Sequence, residues 1–470
     1  MDGLVSSTPQ LAGRSLHGRA VVIGSSFSGL WAARVLSDYF RQVTVLERDR
    51  LPDGPASRAG VPQDRHVHVL LQRGAMIMGR LFPGIEAELE AEDAHRVDLI
   101  ADAEVNIRGG WLPRFPSRKI TYACSRVLLE SVVRRRVAAL PNVELLGGAR
   151  VEGLVEAGGR VTGVRVHWKD RDESTTESAD FVVDASGRTS KTPEWLAELG
   201  YGKVDETVID VRLAYAGRRY RTPTNPAPPW TIMLIGQEPP RRSRAGLIYS
   251  EENGVWMVMV AGIMGDYPPT DPDGFLAFAA GVDPALHAAI RTAEPIGDPF
   301  GYRRTENRFR LYDKLTRWPE RFVVTGDAVC GFNPVYGQGM TVGVMAAEAL
   351  GKELARGGGQ LDGLAARFQR RYPKIVAPAW LLSSSADLEW LGRTGKASLQ
   401  ERVAARYLPM VLDAVPADRK VQEAFFEVQN LMAPATSLFR PGVAVRAFRH
   451  RLRGRKPAAV PAADGASAVA

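Results

Sequence analysis

Asp327 stands between a short apolar run, residues 322–325, and the glycines Gly337 and Gly339. A carboxylate so placed can accept hydrogen bonds from a polyol. The amides of Gly337, Gln338, Gly339 and Met340 fall where a helix should begin, and unpaired N–H groups with the positive dipole end favour an electron-rich ligand edge there. From this stretch alone, an ordinary strand-to-helix turn with a glycine for tightness reads the same way. A second constellation begins the chain. Gly24, Ser26 and Gly29, with Phe27 and Ser28 among them, follow an apolar run, and Glu47 closes the next one. Glycines at that spacing permit a tight turn and close helix packing, the helix start faces a pyrophosphate, and an acid about 20 residues on meets a ribose hydroxyl pair. Ser26 occupies the middle glycine position, and its hydroxyl can itself donate to phosphate.

Arg58 and Arg65 could reach phosphates as charge-assisted donors. His66 and His68 lie two apart with no further ligand cluster near them, which favours packing or hydrogen bonding over a metal. No metal site is expected. Ser125 has the character of an N-cap, so Arg126 enters the first helical turn, where the dipole disfavours a cation. That mismatch points to a ligand partner for Arg126. Asp184 and Gly187 end another apolar run, as strand ends at ligand sites of open α/β sheets do.

The elements that must position these groups follow from periodicity. Strands are expected at 20–23, 43–46, 143–168 with a turn at Gly158 and Gly159, and 180–184; helices are expected over 30–40 and 126–140. Between 201 and 302 strand-like segments, 211–220, 230–235, 245–249 and 255–262, succeed one another without long helices, predicting a separate antiparallel sheet. Tyr215 and Trp230 are its candidate pocket residues, though aromatics in a sheet are more often core. The expected organisation is a discontinuous domain of 19–200 and 303–355, with part of the sheet near 96–122 belonging either to it or to the sheet domain of 201–302. A helical region, 356–456, follows, and 1–18 and 457–470 form flexible tails.

The chain has 470 residues, 45% hydrophobic and 24% charged, with a net charge of +8. Its cations are spread along the chain except at 446–456, which argues against a nucleic-acid protein. Two cysteines, Cys124 and Cys330, exclude a disulfide framework. The longest apolar runs fall short of a membrane span and residues 1–10 lack signal-peptide order, so a cytoplasmic location is expected.

The segments GVPQDRHVHVL (60–70), CSR (124–126), VVDASGR (182–188) and VVTGDAVCGFNPVYGQGM (323–340) resemble the p-hydroxybenzoate-hydroxylase-like FAD-dependent monooxygenases, most closely the bacterial polyether epoxidases. The resemblance implies an α/β, Rossmann-type FAD-binding domain with an inserted antiparallel-sheet substrate domain and a C-terminal helical region. It places Gly24, Ser26, Phe27, Ser28 and Gly29 at the FAD pyrophosphate, Glu47 at the ribose, and Arg48, Arg58, Arg65 and Arg126 along the phosphates and ribityl chain. Val151 would hold the adenine by its backbone, Asp184 and Gly187 would form the second Asp-Gly motif, and Asp327 would bind ribityl hydroxyls. Pro334 would abut the isoalloxazine, with Gly337 to Met340 at its pyrimidine edge. Tyr215, Trp230, Phe332 and Asn333 would line the substrate pocket. Implied partners are O2, a lipophilic small molecule, and NAD(P)H acting directly or through a separate reductase. The implied reaction transfers one oxygen atom through a flavin hydroperoxide, epoxidising a polyketide or terpenoid alkene. Aromatic hydroxylation and prenyl double-bond reduction are the alternatives.

Overall fold

The computed structural model describes residues 16–358, 360–392 and 399–453. The expected tails at 1–15 and 457–470 lie outside them, whereas His17 and Gly18 already belong to the first strand. Five parallel strands form a sheet in the order Phe322–Val324, Phe181–Asp184, His17–Ile23, Phe40–Leu46, Val143–Leu146. Phe322–Val324, Phe181–Asp184 and the C-terminal halves of the next two strands, residues 20–23 and 43–46, are fully buried, as parallel strands covered by helices must be, whereas the edge strand Val143–Leu146 is only half-buried. In register, Ile23 is level with Leu46 and Asp184, and Asp184 with Val324. Three strand ends therefore present Gly24, Glu47 and Thr325 along one edge, the edge where open α/β sheets bind ligands.

The first helix is Phe27–Leu36, not 30–40. The chain turns at Ser37, and Phe40 opens the second strand with its ring 5.9 Å from Phe181. The gain from burying that ring outweighs the helix propensity of the segment. Gly29 shows why the glycine is needed: a Cβ there would lie 1.8 Å from the Gly24 carbonyl oxygen.

The second sheet has seven strands, ordered Pro295–Tyr302, Ala214–Arg221, Val255–Gly262, Arg244–Glu251, Ile232–Ile235, Ala103–Ile107, Gly110–Trp111. It is mixed rather than purely antiparallel, because Ile232–Ile235 pairs parallel with Ala103–Ile107. Short helices Pro272–Ala280 and Pro284–Ile290, absent from the expectation, cover one face through Phe275, Phe278, Leu286 and Ile290. Side chains alternate along each strand, so Ile232 and Tyr249 face the other way and pack with Val411, Val421, Phe426 and Val443 of the C-terminal helices.

A candidate FAD site on the parallel-sheet edge

At the Gly24 end, Gly24 takes φ +96°, which only glycine adopts readily. The Glu47 carboxylate accepts from the Ser25 backbone N–H and hydroxyl, both at 2.9 Å, and from the Asp49 N–H at 3.1 Å. Arg58 lies 3.1 Å from Glu47 and also pairs with Glu130. Burial opposes the Glu47 charge, but Arg58 and these donors more than offset it and hold the carboxyl below the usual range. Arg58 is thus a buried strut between two carboxylates rather than a free phosphate donor. Charges this deep persist because each is paired.

Ser125 caps the Arg126–Ala138 helix as expected, accepting from the Leu128 N–H. Arg126 is buried, 2.9 Å from Glu130 and 2.8 Å from the Ser26 hydroxyl, with its guanidinium 5.0 Å above the Phe27 ring. It therefore stands at the start of the Phe27–Leu36 helix, where its charge and the helix dipole both favour an anion. Glu130, which sequence reasoning missed, fixes it; the signal was an acid four residues beyond an unexplained first-turn cation. Arg48 and Arg65 are exposed, and Arg48 donates to the Gly60 carbonyl at 3.1 Å. Ser28 reaches toward Gly326 and Gly343, where a Cβ would come within 2.3 and 2.8 Å of its hydroxyl. Ser28 thereby sets the close approach of two helices. Val151 lies at an irregularity in its strand, next to Ala149, whose N–H donates to the Glu47 carbonyl.

Asp184 is corrected. Its carboxylate accepts from the Ser186 N–H at 2.8 Å and from the Ser190 and Thr192 hydroxyls, and it is fully buried. It staples the turn in which Gly187 takes φ +80°, so the carboxylate itself is committed within the protein.

At the other end, Asp327 keeps 39% of its side-chain surface accessible. Although part of its surface stays accessible, its recessed setting raises the carboxyl above the usual range, against the pull of Arg188, Arg126 and Arg310. Arg188, also missed, follows Gly187 directly; it donates to the Glu306 and Phe332 carbonyls and lies 3.7 Å from Asp327. Pro334 is exposed at the loop apex, and Gly337 takes φ +66° before the Gly339–Arg356 helix, which has no side-chain cap. Gln338 is 1% exposed, yet neither side-chain amide atom has a partner. An open carboxylate, uncapped helix amides and an orphaned buried amide fit a polar ring edge with an attached polyol. FAD has both, and its diphosphate suits Arg126 and the Gly24 turn.

The long C-terminal helix Leu364–Leu391 anchors this loop at both ends. Tyr372 accepts from the Gly326 N–H at 2.7 Å, and the Gln369 carbonyl from the Val324 N–H at 3.2 Å. Asp387 accepts from Asn307 at 2.6 Å, from Asn333 at 3.1 Å and from the Tyr336 hydroxyl at 2.8 Å. Burial pushes the Asp387 carboxyl up to about 6 despite these donors. Asn333 is therefore committed to Asp387 and is corrected from pocket to scaffold. Phe332 is buried in the main core.

Tyr215 lies on the sheet face that meets Val335 of the loop and packs against Tyr302 and His66, with centroids at 5.4 and 4.5 Å. Trp230 is corrected: it stacks on Trp256 on the opposite, helix-covered face. Burial pushes His66 down to about 3, with Arg219 and Arg65 adding to the effect, so the ring is neutral. His68 donates from Nδ1 to the His66 carbonyl at 2.9 Å. Among the described residues no cluster could hold a metal ion, and no helix is long and apolar enough to cross a membrane.

Comparison with known proteins agrees with this geometry. The family described as FAD binding domain matches residues 18–365. The chain belongs to that family, the family of the flavin-dependent monooxygenases. It is 34% identical over 446 residues to protein Rv3254 of Mycobacterium tuberculosis, covering 92% of this chain and 94% of that one. Among solved structures it is similar in fold to the flavin-dependent brominase Bmp2, with TM-score 0.62, 14% identity and coverage of 93% and 99%. The p-nitrophenol 4-monooxygenase PnpA of Pseudomonas putida gives TM-score 0.61, 16% identity and coverage of 88% and 99%.

Proposed function

We propose that this protein inserts one oxygen atom of O2 into a lipophilic small molecule, and that the reaction is epoxidation of an alkene. NAD(P)H supplies the electrons, directly or through a separate reductase. The bound flavin, once reduced, activates dioxygen. The chain's part is to hold that group and keep water from it. Asp327 binds the ribityl hydroxyls, and the amides of Gly337 to Met340, with the unpartnered Gln338 side chain, bind the pyrimidine edge. Arg126 and the Gly24 turn bind the diphosphate, Glu47 the ribose and the Val151 backbone the adenine.

The observation that carries the epoxidase reading is the chemistry of the sheet face opposite the loop. His66 is held neutral near 3, burial raises Tyr215 and Tyr302, and Glu251 is spent on Arg219 at 2.8 Å. Activation of a phenol calls for a base matched to neutral pH; His66 and the two tyrosines lie far from that, and Glu251, although burial raises its carboxyl, is held in an ion pair with Arg219. An alkene needs only an apolar, water-poor face. The test is oxygen consumption and NAD(P)H oxidation by the purified flavoprotein against polyenes, terpenoids and phenols, with labelled dioxygen. Label in an epoxide is the expected result. Stimulation by phenols alone would overturn the epoxidase reading, and saturation of an alkene without oxygen would overturn oxygen transfer altogether.

A further inference from the structure

The basic stretch near the C-terminus is unexplained by the flavin site. From Asn430 to Ala463 the sequence contains no acidic residue, but it carries Arg440, Arg446, Arg449, Arg451, Arg453, Arg455 and Lys456. The helix Pro441–Leu452 lies within this run. Its inward face is fixed: Val443 and Ala447 are buried in the cluster that joins the C-terminal helices to the seven-stranded sheet, and Arg446 pairs with Asp418 at 2.9 Å.

Its outward face breaks the usual pattern of a surface helix, which turns polar residues to water. Val445, Phe448 and Leu452 are 47%, 54% and 72% exposed, and Phe439, just before the helix, is 41% exposed. The spacing i, i+3, i+7 aligns the three helical residues in one ridge. Arg449 and Arg451 flank that ridge, while Arg440 and Arg453 lie near its two ends; all four are exposed, and none has an acidic partner among the described residues.

We infer that the ridge of Val445, Phe448 and Leu452, with its arginine flanks, docks this protein on an anionic lipid surface. An apolar edge inserts at the headgroup level while flanking guanidiniums meet phosphates, the arrangement that separates an interfacial helix from a nucleic-acid contact, which needs cations without the ridge. Charge decides against a second copy of the same face, because two arginine-flanked ridges brought together repel. The helix shares its core cluster with Ile232 and Tyr249 of the seven-stranded sheet, so docking holds that sheet close to the lipid. This inference does not depend on which substrate is oxidised.

The test is sedimentation of the full-length flavoprotein with phosphatidylcholine vesicles, with and without phosphatidylglycerol. Expected is pelleting with phosphatidylglycerol vesicles at low salt, reduced by raised salt. The pair F448S and L452S should lower the pelleted fraction at least about five-fold, as should R449Q with R451Q, with the melting temperature and flavin spectrum unchanged. Equal recovery with and without phosphatidylglycerol, or unaltered pelleting of the Phe448 and Leu452 variant, overturns the inference. So does retention on nucleic acid without vesicle binding, conversion from dimer to monomer in that variant, or a fall in its melting temperature without vesicle binding, which would mean the chain itself covers the ridge.

Discussion

At the Gly24 end of the sheet edge, the buried charges already have protein partners: Arg58 between Glu47 and Glu130, and Arg126 on Glu130 and Ser26. At the Asp327 end the polar groups are left open: Asp327 is 39% accessible, Gln338 is buried without partners, and the Gly339–Arg356 helix is uncapped. The first end is a rigid frame whose cost of burying charge is met within the protein. The second is a set of donors and acceptors left free for a ligand. Damage at the first end should therefore cost folding and cofactor together, and damage at the second should cost cofactor while sparing the fold.

The largest break should come from Gly29→Ala. With its Cβ at 1.8 Å from a backbone oxygen, the helix must shift, at a cost of about 3 kcal/mol or more, and the purified chain should carry little flavin and melt early. Next is Arg126→Ala, expected to weaken FAD binding by roughly 10- to 100-fold and to lower the melting temperature of the apoprotein as well, since Glu130 loses a partner. Fluorescence titration with FAD and a thermal melt check the two effects separately.

Asp387→Asn addresses the open end. An amide cannot accept from Asn307, Asn333 and Tyr336 as a carboxylate does, so the loop loosens and FAD affinity should fall by about 10-fold. A pH series sharpens the test. The folded carboxyl titrates at about 6, above an unfolded aspartate, so the native state holds an extra proton between about pH 4 and 6. Stability from this group is present at the acid end and is lost as pH rises through that window. The Asn variant should lose this slope, measured as melting temperature against pH. The smallest effect belongs to Trp230→Phe. On the far face of the sheet it should cost about 1 kcal/mol of stacking and leave FAD affinity and substrate-stimulated NAD(P)H oxidation unchanged, whereas Tyr215→Ala should raise the KM for substrate.

Asp184 and Asn333 show what motif reading cannot separate. Each sits in a stretch that resembles a cofactor motif, but each carboxylate or amide is used up inside the protein. Sequence spacing says that a polar group stands at a strand end; only packing says which way it points. Trp230 teaches the same from a loop: it stands two residues before the Ile232–Ile235 strand, and only tertiary packing sets it against Trp256.

The sequence by itself determined the parallel sheet, the glycine turn at Gly24, the Ser125 cap and the open stretch from Asp327 to Met340. These follow from local sterics and periodicity, which act over a few residues and so leave a readable trace. Tertiary structure decided what anchors that stretch. Tyr372 and Asp387 lie more than 45 residues from the backbone and side-chain groups they hold, and Ala103–Ile107 pairs with a strand more than 120 residues away. No local rule couples positions so far apart, because the free energy that joins them arises only when the chain has closed around a shared core.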